Sequence, residues 1–346
     1  MNKIYGYMHS ILLYVVVALM GGNAHSQVNT DIPDNYLDTP AGYFHQSCVK
    51  QIDNNATFLP EGRLRDARGS IMQLSSCNYP HFRHDGLKIN AASNTKDTSD
   101  NPCTSTPNSG CAGAGTSWVI SAEGTSSDPI IGMYNNWTVP SNPTNILSQT
   151  VYFFPGLEQS SSNSQTILQP VLGWNQNIQG VSRSWTIASW NCCVFGSVYY
   201  SAPITVSPGD SITGQAMGNN CDSTGFCQTW NVTTTDNTTG ASTSLNNTSS
   251  YGQIFYQLYA AVLEADHVRS CSQFPGTGSI TFGPSYYITP NSLGHGPIYF
   301  LNPNNLSGRN YVSDRNDNLP YCDYSVNFVP VYWKREIISN NIEIIY

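Results

Sequence analysis

Between Ser117 and Thr289 the chain alternates short runs rich in Val, Ile, Thr, Tyr and Trp with turns of Gly, Asn, Ser and Pro. β-branched and aromatic residues suit a pleated, half-buried surface, and such runs bounded by turn residues read as strands. The pattern predicts strands over Ser117–Ser121, Ile131–Val139, Thr150–Leu157, Thr166–Trp174, Ser184–Asn191, Val198–Val206, Ser211–Met217, Thr229–Thr235, Thr243–Ser249, Tyr256–Glu264 and Gly278–Ile288. Pro208-Gly209-Asp210 and Asp236-Asn237-Thr238-Thr239-Gly240 supply turn chemistry between them. No long segment of 3.6-residue period and no fixed repeat appears. The fold class expected is all-β: an antiparallel β-sandwich or jelly roll with one core over 117–290.

The flanks differ. Residues 1–26 read as a signal peptide: Lys3, an apolar middle from Ile11 to Met20, and the small-x-small site Ala24-His25-Ser26. The apolar run is short for a membrane span. Residues 27–116 are low in pattern and end in a Ser/Thr/Asn/Pro/Gly-rich stretch from Ala91 to Thr116 that reads as a linker. Two readings stand: an N-terminal subdomain pinned by disulfides, or an activation segment whose basic residues pair with an acidic body. In the C-terminal extension, 291–346, Tyr324 to Trp333 predicts one more strand, and Glu336 to Tyr346 an edge strand or a frayed end.

Composition narrows the setting. Ten cysteines, an even number, suit disulfides in an oxidising compartment, so a secreted chain or one held in an acidic vesicle lumen is expected. Cys221 with Cys227, and Cys103 with Cys111, could each close a small loop. Cys322 implies a tie to the body or to the N-terminal segment. Sequons stand at Asn55, Asn136, Asn231, Asn237, Asn246, Asn247 and Asn305. Only 10% of the residues are charged. From Ser117 to Phe300 the only cations are Arg183 and Arg269. A body with few carboxylates loses little stability in acid. The net charge of −8 offers no basic footprint for nucleic acid. No membrane partner, no cofactor and a monomer are expected.

Candidate chemistry concentrates in two apolar runs. One holds Tyr152-Phe153-Phe154-Pro155-Gly156-Leu157-Glu158 and, after a Ser/Asn loop, Ile167-Leu168-Gln169-Pro170-Val171-Leu172-Gly173-Trp174; the other is Leu258-Tyr259-Ala260-Ala261-Val262-Leu263-Glu264. Burying a carboxylate or carboxamide without a partner costs roughly 2–7 kcal/mol. Gln169, Glu158 and Glu264 are therefore either hydrogen-bonded ties between strands or groups that do chemistry. Other constellations are thin. There is no G-x-S-x-G elbow and no H-E-x-x-H, and His81-Phe82-Arg83-His84 reads as a solvated loop, so no metal is expected. Cys192-Cys193 lacks a nearby cation and reads as structural. Glu158 and Glu264 could serve as a glycosidase pair. The many Tyr, Trp and Asn residues equally suit a non-catalytic glycan-binding jelly roll.

The order of motifs resembles the glutamic peptidases, or eqolisins. Phe154-Pro155-Gly156-Leu157-Glu158 followed by Ile167-Leu168-Gln169 resembles that family's W-V-G-I-D-G strand and its I-L-Q-x-G, whose Gln is catalytic. Ser184 to Trp190 resembles the next Trp-rich strand, and Ile204 to Ile212 the I-x-V-x-x-G-D-x-I turn. Trp230 to Gly240 resembles the following strand pair. Ala261-Val262-Leu263-Glu264 resembles the end of A-E-W-I-V-E, which brings in the catalytic Glu, and Phe274 to Phe282 the closing strand. Phe154 stands where the family has Trp, Glu158 where it has Asp, Ala261 where it has Trp, and Cys192 where it has an acid. The resemblance covers about 152–286. It implies a concanavalin-like jelly roll and a polypeptide substrate cleaved in acid. Glu264 would activate water and the Gln169 amide would hold the oxyanion. Glu158 and Phe154 would orient the dyad or bind substrate, and Trp190 would line the groove.

Overall fold

The structure, a computed structural model, describes residues 32–40, 42–82, 88–89, 118–158, 166–176, 182–192, 197–292, 299–300, 306–312, 319–333 and 336–346. The expected signal peptide, the linker from Ala91 to Thr116, Cys103, Cys111, Cys193 and the Asn305 sequon lie outside the described residues.

The N-terminal segment carries β1 (Tyr36–Thr39), β2 (Gly42–His45), β3 (Val49–Ile52), β4 (Thr57–Leu59), β5 (Arg63–Arg65), β6 (Ile71–Gln73), β7 (His81–Phe82) and β8 (Lys88–Ile89). The body contributes β9 (Trp118–Ile130), β10 (Gly132–Thr138), β11 (Thr150–Leu157), β12 (Ile167–Trp174), β13 (Trp185–Cys192), β14 (Val198–Ser201), β15 (Ile204–Val206), β16 (Ser211–Cys221), β17 (Cys227–Asp236), β18 (Ser242–Thr248), β19 (Phe255–Asp266), β20 (Ser279–Phe282) and β21 (Tyr286–Ile288). The C-terminal extension adds β22 (Tyr299–Phe300), β23 (Leu306–Asn310), β24 (Ser325–Trp333) and β25 (Glu336–Ile345).

Most of these strands build two large sheets, and β1-β2-β7-β8 form a separate four-stranded one. Of the large sheets, one runs β23-β9-β19-β11-β12-β13-β14-β3, with β15 beside β13. The other runs β24-β25-β20-β10-β16-β17-β18-β4-β5-β6, with β21 beside β10 and β22 beside β21. All-β architecture follows from the residue pattern, and side-chain alternation sets the layers. Val151, Phe153, Leu168, Leu172, Trp174, Trp185 and Ile187 point from the first sheet into a core shared with Met133, Trp137, Ile212, Trp230 and Val232 of the second. Each such side chain contributes roughly 1.5–3 kcal/mol on burial. Ser189 and Thr234 join the sheets through a 3.0 Å hydroxyl contact.

The flanks are more ordered than their sequence suggests. β3 pairs with β14 and β4 with β18, both in parallel, so the N-terminal segment extends an edge of each sheet. Asn246 Nδ2 donates to the backbone carbonyls of Asn54 and Ala56 at 3.0 and 3.1 Å, fixing that junction. Likewise β25 lies between β24 and β20 rather than at an edge. The two sheets thus draw strands from outside 117–290. The reason is edge completion: an exposed strand edge leaves backbone donors and acceptors that other segments can satisfy. Disulfides join Cys48 to Cys77, Cys221 to Cys227 and Cys271 to Cys322; of the two ties left open for Cys322, the last is the one to the body. Cys192 is also disulfide-bonded.

Candidate functional site

Alternate residues of the first sheet point away from the shared core and form a second face. Its apolar floor is Trp118, Tyr152, Phe154, Ile167, Val171, Ala188, Trp190, Tyr200, Tyr259 and Val262, with Tyr311 beside it. By the same alternation Gln169 falls between Ile167 and Val171, Glu264 beyond Val262, and Glu158 beyond Phe154. Gln169 and Glu264 are wholly buried and Glu158 is nearly so. Phe154 and Trp190 belong to the floor.

Strand registers show which of these groups meet. Gln169 pairs with Trp190 on β13. The Leu157–Leu168 pairing sets Gly156 beside Gln169 on the other side, and Gly156 pairs with Tyr259 on β19. Tyr259 in turn pairs with Glu123 on β9. One row therefore reads Glu123, Tyr259, Gly156, Gln169, Trp190, and Gly156 leaves a gap on the face between the tyrosine and the carboxamide. Glu158 stands diagonally from Gln169, and such cross-strand diagonals lie about 7–8 Å apart between backbones, within reach of long side chains. Trp190 stacks on Tyr200 with centroids 4.9 Å apart.

Glu264 lies elsewhere on the face. It pairs with Tyr152, whose partner on β12 is Gly173. From that row to Gln169 is about 13 Å along the strands and about 10 Å across them. The motif resemblance implies that Gln169 and Glu264 meet; the registers set β11 between them and offset them along it. Tyr259, not a glutamate, faces Gln169 across Gly156. Glu158 and Glu264 are also far apart: β11 advances about 20 Å from Tyr152 to Glu158, against the ~5–9.5 Å of a glycosidase pair.

Two polar stations result. At the Gln169 station, burial raises the Tyr259 pKa first, and Glu158, Tyr311 and Glu123 raise it further, against Arg309. Tyr259 therefore stays protonated and able to donate. Glu123 Oε1 accepts from the Tyr311 hydroxyl at 2.9 Å and from Ser121 Oγ at 3.1 Å, and its Oε2 accepts from Gln257 Nε2 at 3.1 Å. Arg309 sits 4.4 Å over the Tyr311 ring. At the Glu264 station, burial raises the Tyr152 pKa, followed by the charges of Asp38, Asp266 and Glu264 and by Tyr43.

Gln169 is distinguished by its hydrogen bonding. Neither Nε2 nor Oε1 has a partner, and the indole Nε1 atoms of Trp118 and Trp190 on the same face are likewise unpartnered. A buried polar group left unmatched costs about 1–3 kcal/mol. Gln169 is thus not a strand-to-strand tie, which removes the plain structural explanation for its presence.

The face is covered. Phe44 of β2 is fully buried within the floor cluster, and Val49 of β3 packs against it. Asp38 of β1 reaches His267 at 3.8 Å. Asp38 and Phe44 carried no signal in the sequence; Tyr152, Gly156 and Tyr259 were visible only as parts of the two apolar runs. Among the described residues no group of three His, Cys, Asp or Glu side chains could hold a metal ion. No helix there is long and apolar enough to cross a membrane.

No family model and no curated protein matches the chain. Among solved structures it is similar to scytalido-glutamic peptidase with a transition state analog inhibitor: 16% identity, 66% of this chain and 98% of that chain covered, TM-score 0.42. A second structure of that peptidase, with a peptide-based transition state analog, gives 15% identity and a TM-score of 0.43, with the same coverage. SCP-B, a member of the eqolisin family of peptidases in a complex with the tripeptide Ala-Ile-His, gives 16% identity, 66% and 98% coverage and a TM-score of 0.41. The likeness is distant.

Proposed function

We propose that this chain is a secreted, acid-acting endopeptidase whose working pair is Gln169 and Glu158, with Tyr259 as a second donor. The observation that carries the reading is Gln169: a wholly buried carboxamide with both polar atoms unpartnered, in one row with Tyr259 and diagonal to Glu158 across the gap at Gly156. Glu158 as carboxylate takes a proton from water, and that water attacks the scissile carbonyl. The Gln169 amide and the Tyr259 hydroxyl hydrogen-bond the oxyanion, and Glu158 returns the proton to the leaving amine. Phe154 and Trp190 bind the substrate's apolar parts. Glu264 supports the fold of its own station instead of forming the dyad. The N-terminal residues 27–116 act as an activation segment. Sparse carboxylates keep the body folded in acid.

The test is digestion of a denatured protein in acid by the full chain, before and after limited proteolysis of its N-terminal segment. Glu158→Gln and Gln169→Ala should each lower the rate on the order of 10²–10³-fold, while Glu264→Gln retains it. Full activity in Glu158→Gln would sink the pair, and loss only in Glu264→Gln would return the base to that residue. The second reading, a non-catalytic glycan-binding protein, is supported by the aromatic floor of Trp118, Tyr152, Trp190 and Tyr200; glycan-array binding without peptide cleavage would establish it.

A further inference from the structure

We infer that the hairpin Tyr36–His45 is a tethered occupant of the face that takes the substrate, and that Phe44 marks a pocket for an aromatic side chain of the peptide. This rests on the peptidase reading for its substrate, though not for the contact itself. The hairpin reaches the floor from one side, where Val49 of the following strand pairs with Val198. It ends at the other, where Asp38 stands 3.8 Å from His267 and where Asp38 and Tyr43 both act on Tyr152. Phe44 is the residue it sends into the floor, buried with Tyr152, Phe154 and Trp190. On its other side His81 of β7 stacks at 4.6 Å and 7°.

The occupant fills the apolar space and leaves the polar positions open. Gln169 of this face has no hydrogen-bond partner at either polar atom. An extended peptide brings a carbonyl and an N–H with every residue, so a substrate with a bulky aromatic residue can supply both the ring and the missing hydrogen bonds. At Gln169 the hairpin supplies no hydrogen bond. Its tether makes up the difference, because an attached ligand competes at a high effective concentration. β3 to β6 remain zipped into the sheet edges, and the Cys48–Cys77 disulfide ties the chain on either side of them, so the hairpin, with β7 paired to it, can leave the face while staying attached.

The test uses the full chain and two end-blocked pentapeptides that differ only in a central Phe or Ala. Hydrogen exchange of the Tyr36–His45 amides is followed at short times, before turnover matters. Saturating Phe peptide should speed that exchange about tenfold more than the Ala peptide does. In a second arm, Phe44→Ala should bind the Phe peptide about tenfold more tightly than the native chain does, with no such gain for the Ala peptide. If Phe44→Ala unfolds, Phe44→Leu replaces it. Equal behaviour of the two peptides in both arms, or no binding to a folded Phe44 variant, would overturn the inference. Displacement by the Phe peptide without cleavage would leave the pocket standing and retire the peptidase reading; cleavage without Phe selectivity would do the reverse.

Discussion

Asp38 Oδ2 of the N-terminal hairpin lies 3.8 Å from His267 Nδ1, just past the strand that carries Glu264. Burial pushes the Asp38 carboxyl up to about 7, and the nearby imidazole acts against that rise. The part of the chain that covers the candidate site is therefore coupled to pH through a residue that no motif singled out.

The direction can be worked out for each group. A carboxyl whose folded pKa is raised contributes most below its ordinary value near 3.8, and this is lost as pH rises through about 7. His81, stacked on Phe44, has its pKa lowered to about 4 by burial. Its contribution is whole above 6.5 and is lost as pH falls through about 4. Each shift corresponds to a few kcal/mol, in opposite directions over nearly the same window. The hairpin should therefore hold almost evenly between about pH 4 and about pH 7. Asp38→Asn should make it loosen toward acid, and His81→Phe should make it tighten toward acid. Hydrogen exchange of the Tyr36–His45 amides across that range checks both, and a flat profile in both variants would contradict the account.

Gln169 makes no hydrogen bond, so an apolar side chain of similar length should suit its site better. Gln169→Met is expected to stabilise the chain by about 1–2 kcal/mol, since removing an unmatched buried polar group recovers its desolvation cost. Thermal unfolding measures this. A drop in stability would mean that the carboxamide is a structural tie after all.

Gly214 of β16 lies against Pro170 of β12 on the facing sheet. A Cβ there would meet Pro170 Cγ and the Trp137 ring, both at 2.6 Å. Gly214→Ala should cost about 1–3 kcal/mol by overpacking. Gly240, whose added Cβ would meet nothing within 4 Å but whose φ is +79°, offers a comparison in which strain comes from the backbone alone.

Asn246 and Asn247 belong to overlapping sequons with different surroundings. The Asn246 amide nitrogen is engaged by the carbonyls of Asn54 and Ala56, whereas Asn247 accepts through Oδ1 from Asn219. When the chain is made in a glycosylating host, peptide mass spectrometry should find the glycan on Asn247. Occupancy of Asn246 in folded protein would show that the N-terminal segment docks differently.

Much of the architecture was legible in the pattern. Alternating β-branched and aromatic residues announced the strands of the body, and the strand from Tyr324 to Trp333 emerged as β24. The predicted run Val198–Val206 divides into β14 and β15, and Gly278–Ile288 into β20 and β21. The low-pattern N-terminal segment proved to be strands because short edge strands are set by backbone pairing rather than by a hydrophobic period.

For the site, sequence alone determined that Gln169, Glu158 and Glu264 are polar groups in apolar strands, because a period of two fixes which face each residue takes. It could not determine which of them meet. That depends on how β11, β12 and β19 slide against one another, and register between strands distant in sequence leaves no local trace. Only the tertiary structure set Tyr259 and Glu158 around Gln169, moved Glu264 to a separate station beside Tyr152 and Asp38, and buried Phe44 in the floor.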